Sequence, residues 1–173
     1  MKTHYAIAIL LLYLFNPAAW AQCLSGNCQN GYGEKLCAYG TYKGNFSNGK
    51  RDGEGTYFYD SGSIYSGKWK NNHKSGYGIF NNRNGDRYEG NWLNGDYHGQ
   101  GIYRWADGKV YDGSWKAGKR DGYGIYQMTN GYRYVGTFRN DLPVRESVVY
   151  EPGSNPLPVP PSSSPRIHVI LFA

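Results

Sequence analysis

The chain has 173 residues, a length that fits one ordinary domain and excludes an assembly of several large ones. Its 25 glycines and 18 tyrosines exceed average usage, and residues 42–140 hold 20 glycines and 21 aromatics against one leucine, two valines, four isoleucines and two alanines. Long helices are thereby excluded, since each interior glycine costs a helix about 1 kcal/mol, and the formal charge of +6 favours anionic partners without bearing on fold.

Residues 1–21 read as an export signal. Lys2 supplies positive charge, Tyr5 to Phe15 an apolar core, Asn16-Pro17 a break, and Ala19-Trp20-Ala21 the small-x-small pattern that precedes cleavage. Removal after Ala21 leaves Gln22 as the mature N-terminus, so the expected location is secreted or periplasmic. An uncleaved anchor and a lipid-modified Cys23 are the alternatives. Pro17 interrupts the roughly 20 apolar residues a spanning helix needs, and Gln22 stands where a lipoprotein signal has a small residue.

From Tyr42 onward the chain repeats with an unbroken period of 23. Tyr42, Tyr65, Tyr88, Tyr111 and Tyr134 open successive units. Two residues later stand Gly44, Gly67, Gly90, Gly113 and Gly136, and two further on the rings Phe46, Trp69, Trp92, Trp115 and Phe138. Each unit continues with Gly-x-Gly, as in Gly53/Gly55 and Gly76/Gly78, then a ring two residues beyond, then a glycine three residues before the next Tyr. A fixed period of this length means stacked copies of one supersecondary unit. With the strand period of 2, Tyr65, Gly67 and Trp69 share one face, as do Gly76, Gly78 and Phe80, so each unit is expected to be a β-hairpin. Rings then lie over glycine backbone that has no Cβ, and their buried area offsets the conformational entropy lost at each glycine. Asn48 to Gly53 and Ala117 to Gly122 read as turns at one end of the hairpins, and Asp60-Ser61-Gly62 and Ala106-Asp107-Gly108 as turns at the other.

Tyr-x-Gly-x-Trp, then Gly-x-Gly, then Gly before the next Tyr resembles MORN (membrane occupation and recognition nexus) repeats. The resemblance covers units 42–64, 65–87, 88–110 and 111–133 and a partial unit 134–145, with Asn72 and Asp141 in place of a turn glycine and Phe46 and Phe138 in place of Trp. It implies an all-β fold: an elongated, open antiparallel meander of about ten short strands, its core made of the ten Tyr, Trp and Phe residues that open the units. Residues 22–41 are a cysteine-containing cap whose Gly31-Tyr32-Gly33 and Gly40 repeat the second half of a unit. That cap is expected to protect one terminal strand and residues 146–151 the other. Cys23, Cys28 and Cys37 all lie in the cap, where export makes a disulfide plausible and no fourth Cys or nearby His completes a metal site. If the partial unit is a hairpin in repeat register, Cys23 and Cys37 face each other on paired strands and Cys28 sits in the turn, so the bridge expected is Cys23–Cys37. Residues 152–165 read as a Pro/Ser-rich linker and 166–173 as an apolar, β-prone tail that adds a strand, meets a partner or frays.

Catalytic chemistry has no constellation here. The Gly-x-Gly pairs open strands rather than helices, so they hold no pyrophosphate, and His73, His98 and Asp96 fall in turns, where solvation is the ordinary reading. No metal, cofactor or nucleic-acid ligand is expected, and the oligomeric state is open. Basic residues are the functional signal. Lys50, Arg51, Lys74, Lys119 and Arg120 occupy matching turn positions, so they are expected to form one row on a long edge, engaging an anionic membrane surface or an acidic protein partner. Charged turns that guard sheet edges against association are the ordinary alternative. A carbohydrate or cell-wall module using exposed aromatics is the second reading, and an accessory domain of an enzyme complex the third. An outer-membrane barrel is disfavoured because the strands are expected to be about half the length that spanning needs.

Overall fold

A computed structural model of the protein describes residues 21–144, 148–150 and 152–153. The signal apart from Ala21, most of the linker and the apolar tail lie outside the described residues. Within them there is no helix, and thirteen strands form one sheet: β1 (Cys23–Gly26), β2 (Gly31–Cys37), β3 (Gly40–Ser47), β4 (Lys50–Tyr59), β5 (Ile64–Lys70), β6 (His73–Asn81), β7 (Arg87–Leu93), β8 (Asp96–Arg104), β9 (Val110–Lys116), β10 (Lys119–Gln127), β11 (Arg133–Arg139), β12 (Leu142–Pro143) and β13 (Val148–Tyr150). Consecutive strands pair antiparallel from β1 through β12, and β13 also pairs with β11. Among the described residues β1 pairs only with β2, so the path is an open meander.

The 23-residue register appears directly as cross-strand rows. Gly33, Gly44, Gly55, Gly67, Gly78, Gly90, Gly101, Gly113, Gly124 and Gly136 pair in sequence across ten strands. Over this glycine track lie the opening tyrosines. Tyr42, Tyr65, Tyr88 and Tyr111 are fully buried, and each hydroxyl donates to the carbonyl three residues on, at 2.8–3.0 Å. The tyrosines alternate with Trp and Phe rings, edge to face at 5.1–5.5 Å, in one unbroken chain from Phe46 through Trp69, Trp92 and Trp115 to Phe138. Trp69, Trp92 and Trp115 therefore share one face, and each indole N–H donates to a glycine carbonyl of the preceding unit. Tyr134 is only half-buried, since no complete unit follows to cover it.

Several sequence expectations need correction. The hairpin turns are two residues long rather than six: Asn48-Gly49, Asn71-Asn72, Asn94-Gly95, Ala117-Gly118 and Asn140-Asp141 all have positive φ at both positions, the primed turn that matches strand twist. Lys50 to Gly53 and their counterparts already belong to the following strand, where a bulge absorbs the extra residues. Strands consequently run to 7–10 residues within the repeats, so short length does not argue against a barrel; the open sheet does. Asn72 and Asp141 adopt φ of 71° and 72° and build the same turn as glycine does.

The expected Cys23–Cys37 bridge is also wrong. Cys23 joins Cys28, with Cα atoms 5.9 Å apart, and Cys37 is free. In the observed register Cys23 lies opposite Lys35, while Cys37 is two residues further along β2 opposite Gly40. The Asn27–Asn30 turn folds Cys28 back against the end of the ring layer, where it is buried beside β1. Signals at both ends of the array converge on edge protection: β1 covers β2, and β12 and β13 together flank β11.

Candidate functional site

Because every unit has the same length, all hairpin tips project from one long edge. Successive tips are also tied together: the second turn residue donates its N–H to a carbonyl of the preceding tip, as in Asn72 to Arg51, Gly95 to Lys74, Gly118 to Tyr97 and Asp141 to Arg120, at 2.9–3.0 Å. The tip segments 47–53, 70–75, 93–98, 116–121 and 139–142 contain eight Lys/Arg against four Asp/Glu. Segments on the opposite edge taken with their flanking strand residues in the same way, 59–64, 81–87, 104–110 and 127–133, contain five against three. The hairpin-tip edge is thus the more basic of the two long edges.

Within that edge the five expected basic residues divide into two kinds. Lys50 and Lys119 open β4 and β10 and are exposed, as is Lys116, which pairs directly with Lys119. Arg51, Lys74 and Arg120 instead fold back over rings. The Arg51 guanidinium carbon lies 4.3 Å from the Trp69 ring centre, Lys74 Nζ 4.1 Å from that of Trp92, and the Arg120 guanidinium carbon 5.4 Å from that of Phe138. Each of these rings belongs to the following unit, so the cations couple units through the ring quadrupole. In unit three the position is Tyr97, whose ring stacks on Tyr88 at 3.9 Å and meets Trp115 at 5.3 Å. A column of Arg, Lys, Tyr and Arg wants a flat or long-stemmed group that covers a ring, and charge is secondary to that.

Neutralisation differs along the column. Arg120 donates from Nε to Asp141 Oδ1 at 3.2 Å and from its terminal nitrogen to the Asp141 carbonyl at 2.8 Å. Arg51 makes the equivalent carbonyl bond to Asn72, a neutral residue, at 2.8 Å. Among the described residues neither Arg51 nor Lys74 has a carboxylate within ion-pair distance. Burial pushes the Lys74 amine down to about 8, with Arg51 repelling it further and Asp96 opposing the shift. Asp52 is held below the usual carboxylate range by the Asn71 N–H and by Lys70, its ion-pair partner at 3.2 Å. The same physics acts on the core phenols: burial raises Tyr42, Tyr65 and Tyr88 beyond the ordinary tyrosine range and Tyr97 and Tyr111 to about 12.

The sequence marks Asn72 and Asp141 only as replacements of a turn glycine, and their part in holding the arginines was missed. Their side chains accept the backbone N–H of Arg51 and Arg120 at 2.9 Å, so the two replacements of glycine both lie next to an arginine one unit earlier. That 21-residue pairing was the available signal. His73 opens β6 opposite Lys70, and His98 lies within β8. Among the described residues no three His, Cys, Asp or Glu side chains cluster as metal ligands would, and no helix is long and apolar enough to cross a membrane.

Comparison with protein-family models matches the MORN repeat to residues 42–64, 65–87, 88–110 and 111–131. The chain belongs to the MORN-repeat family. Those four consecutive matches run from within β3 through β10 and end just before β11, so family and register describe the same units. A search of curated proteins finds no match for the chain. MORN arrays are membrane- or protein-binding repeat modules, which fits an elongated sheet whose rings bury one another and leave edges and one face for contact.

Proposed function

We propose that the array is an exported, non-catalytic binding scaffold whose basic hairpin edge engages an anionic membrane surface. The observation that supports this reading is the greater positive charge of the hairpin edge, eight cations to four anions at the tips against five to three opposite. Tips in register turn these cations into a line, and a line meets a flat anionic surface better than the same charges scattered. Lys50, Lys116 and Lys119 are the contacts, because they are exposed, while Arg51 and Arg120 serve packing between units. Each exposed lysine near an anionic leaflet contributes on the order of 1 kcal/mol, and the attraction fades with salt. The signal-like residues 1–21 and the Cys23–Cys28 bridge support export, since disulfides persist in oxidising compartments.

The test is co-sedimentation with vesicles of phosphatidylglycerol and phosphatidylcholine at low and high salt. Wild-type protein is expected to bind at low salt and to be released at high salt. Lys50→Glu, Lys116→Glu and Lys119→Glu together should remove binding with the circular dichroism unchanged. Equal binding by that variant, or by vesicles of phosphatidylcholine alone, overturns the assignment. Capture of an acidic protein instead of anionic vesicles would move the partner from membrane to protein on the same edge.

A further inference from the structure

Strand alternation places Tyr32, Tyr77 and Tyr123 on the face opposite the rings, since each stands between two glycines of the ring face. All three are exposed, at 66%, 52% and 49%. They share one register row, which runs Tyr32 beside Asn45, Glu54 beside Lys68, Tyr77 beside Asn91, Gln100 beside Ser114, and Tyr123 beside Thr137. The tyrosines sit on β2, β6 and β10, so each interval is four strands, or about 19 Å at roughly 4.8 Å per strand. Tyr77 is anchored rather than loose: its hydroxyl donates to Glu89 Oε1 at 2.5 Å, and Glu89 is in turn paired with Arg87 at 2.7 Å.

The spacers between these rings are amides and hydroxyls. Asn91 Nδ2 donates to the Gln100 carbonyl, and Gln100 Nε2 donates to Ser114 Oγ at 2.9 Å. Charge on the row cancels, because its one carboxylate, Glu54, lies opposite its one ammonium, Lys68. The neighbouring Glu34 is paired with Lys43 at 3.2 Å. A row with no net charge complements an uncharged ligand, and along this row the exposed rings are separated by polar spacers.

We infer that this face binds a single chain of neutral polysaccharide laid across the strands, with sugar rings stacking on Tyr32, Tyr77 and Tyr123 and hydroxyls meeting the amides between them. The apolar faces of pyranose rings suit aromatic side chains, and planar amides supply both donors and acceptors for hydroxyls. Three rings spanning about 38 Å require a polymer, since a mono- or disaccharide reaches one ring only. Sheet twist turns successive rings about the long axis, a path that one extended chain can follow and a flat crystalline surface cannot. Weak stacking at three linked places then adds through effective concentration.

Affinity electrophoresis of the full chain in gels containing glucomannan, xylan or hydroxyethylcellulose tests this. Retardation by at least one polymer is expected, insensitive to salt and poorly reversed by a tetrasaccharide. Tyr77→Ala should weaken retardation about tenfold, and Tyr32→Ala, Tyr77→Ala and Tyr123→Ala together should abolish it; as exposed positions, their circular dichroism stays that of the wild type. The Lys50→Glu, Lys116→Glu, Lys119→Glu variant should be retarded normally, which separates this face from the basic edge. No retardation in any of the three polymers, or equal retardation of the triple tyrosine variant, overturns the inference.

Discussion

Gly101→Ala tests the interlock between the glycine track and the tyrosines. Gly101 does not have a positive φ, so alanine brings no left-handed backbone strain there. A Cβ, however, would collide with the Tyr88 hydroxyl and lie 2.6 Å from its Cζ and 2.7 Å from its Cε2. Tyr88 is fully buried and cannot swing out cheaply. Its hydroxyl donates to the Asn91 carbonyl at 2.8 Å, and its ring meets Trp92 at 5.1 Å, Trp115 at 5.5 Å and Tyr97 at 3.9 Å. Overpacking of about 1–3 kcal/mol, with a strained buried hydrogen bond and displaced ring pairs, gives an expected loss of about 3–5 kcal/mol. Gly95→Ala is the control. Gly95 has φ of 98° and nothing within 4 Å of its missing Cβ, so alanine there costs only backbone strain, partly offset by a less flexible unfolded chain, about 1 kcal/mol. Urea denaturation followed by tryptophan fluorescence compares the two, and with a slope of about 1–3 kcal/mol per molar the midpoints should separate by on the order of 1 M or more. Equal midpoints for the two variants would refute the interlock.

The folded Lys74 amine titrates near 8, below its ordinary 10.5, so the unfolded chain binds the extra proton and stability should rise as pH climbs from about 8 toward 9.5. The buried tyrosines have raised values, so above about pH 10 the unfolded chain releases protons that the folded one keeps, and stability should fall; denaturant midpoints across this range check both limbs, and Lys74→Met should flatten only the first. Peptide mapping without reduction should recover Cys23 linked to Cys28 and a Cys37 open to alkylation after unfolding; a Cys23–Cys37 peptide contradicts the observed register. N-terminal sequencing of protein from its native host should begin at Gln22, and recovery of intact Met1 or a lipid-modified Cys23 would defeat the export reading.

What was legible in the sequence was whatever the repeat enforces. The tyrosine, glycine and tryptophan positions recur every 23 residues because each ring needs a missing Cβ beside it, and a requirement repeated five times is visible without a structure. The turn boundaries were misjudged because Lys-Arg-Asp-Gly after Asn-Gly has turn-like composition, whereas a two-residue primed turn followed by a bulge lets the same residues belong to a strand. The disulfide was misassigned because β1 lacks the repeat pattern, so its register could be set only by its own pairing with β2. Charge was visible but its use was not. Arg51 and Lys50 are sequence neighbours, yet strand alternation sends one across the Trp69 ring and the other to solvent.

That alternation also says where a binding function has to reside. Positions serving the core are held by the register: a different residue at Tyr65 or Gly78 disturbs a ring whose neighbours extend through every unit. Freedom exists at two places in each unit. One is the exposed tip residue, which is Lys50, His73, Asp96 and Lys119 in successive units. The other is the residue between the paired glycines, which is Glu54, Tyr77, Gln100 and Tyr123. Neither set packs into the ring layer, and the two lie apart, one on a long edge and the other on the outer face. A solenoid whose units contact only their neighbours tolerates change at such positions without altering the fold. Variation there is therefore free to follow ligands, and the two sets can do so independently. Charge reversal at the tips and removal of the outer tyrosines consequently probe different contacts on one unchanged scaffold, and a variant that lost both activities through one set of substitutions would show that edge and face form a single site.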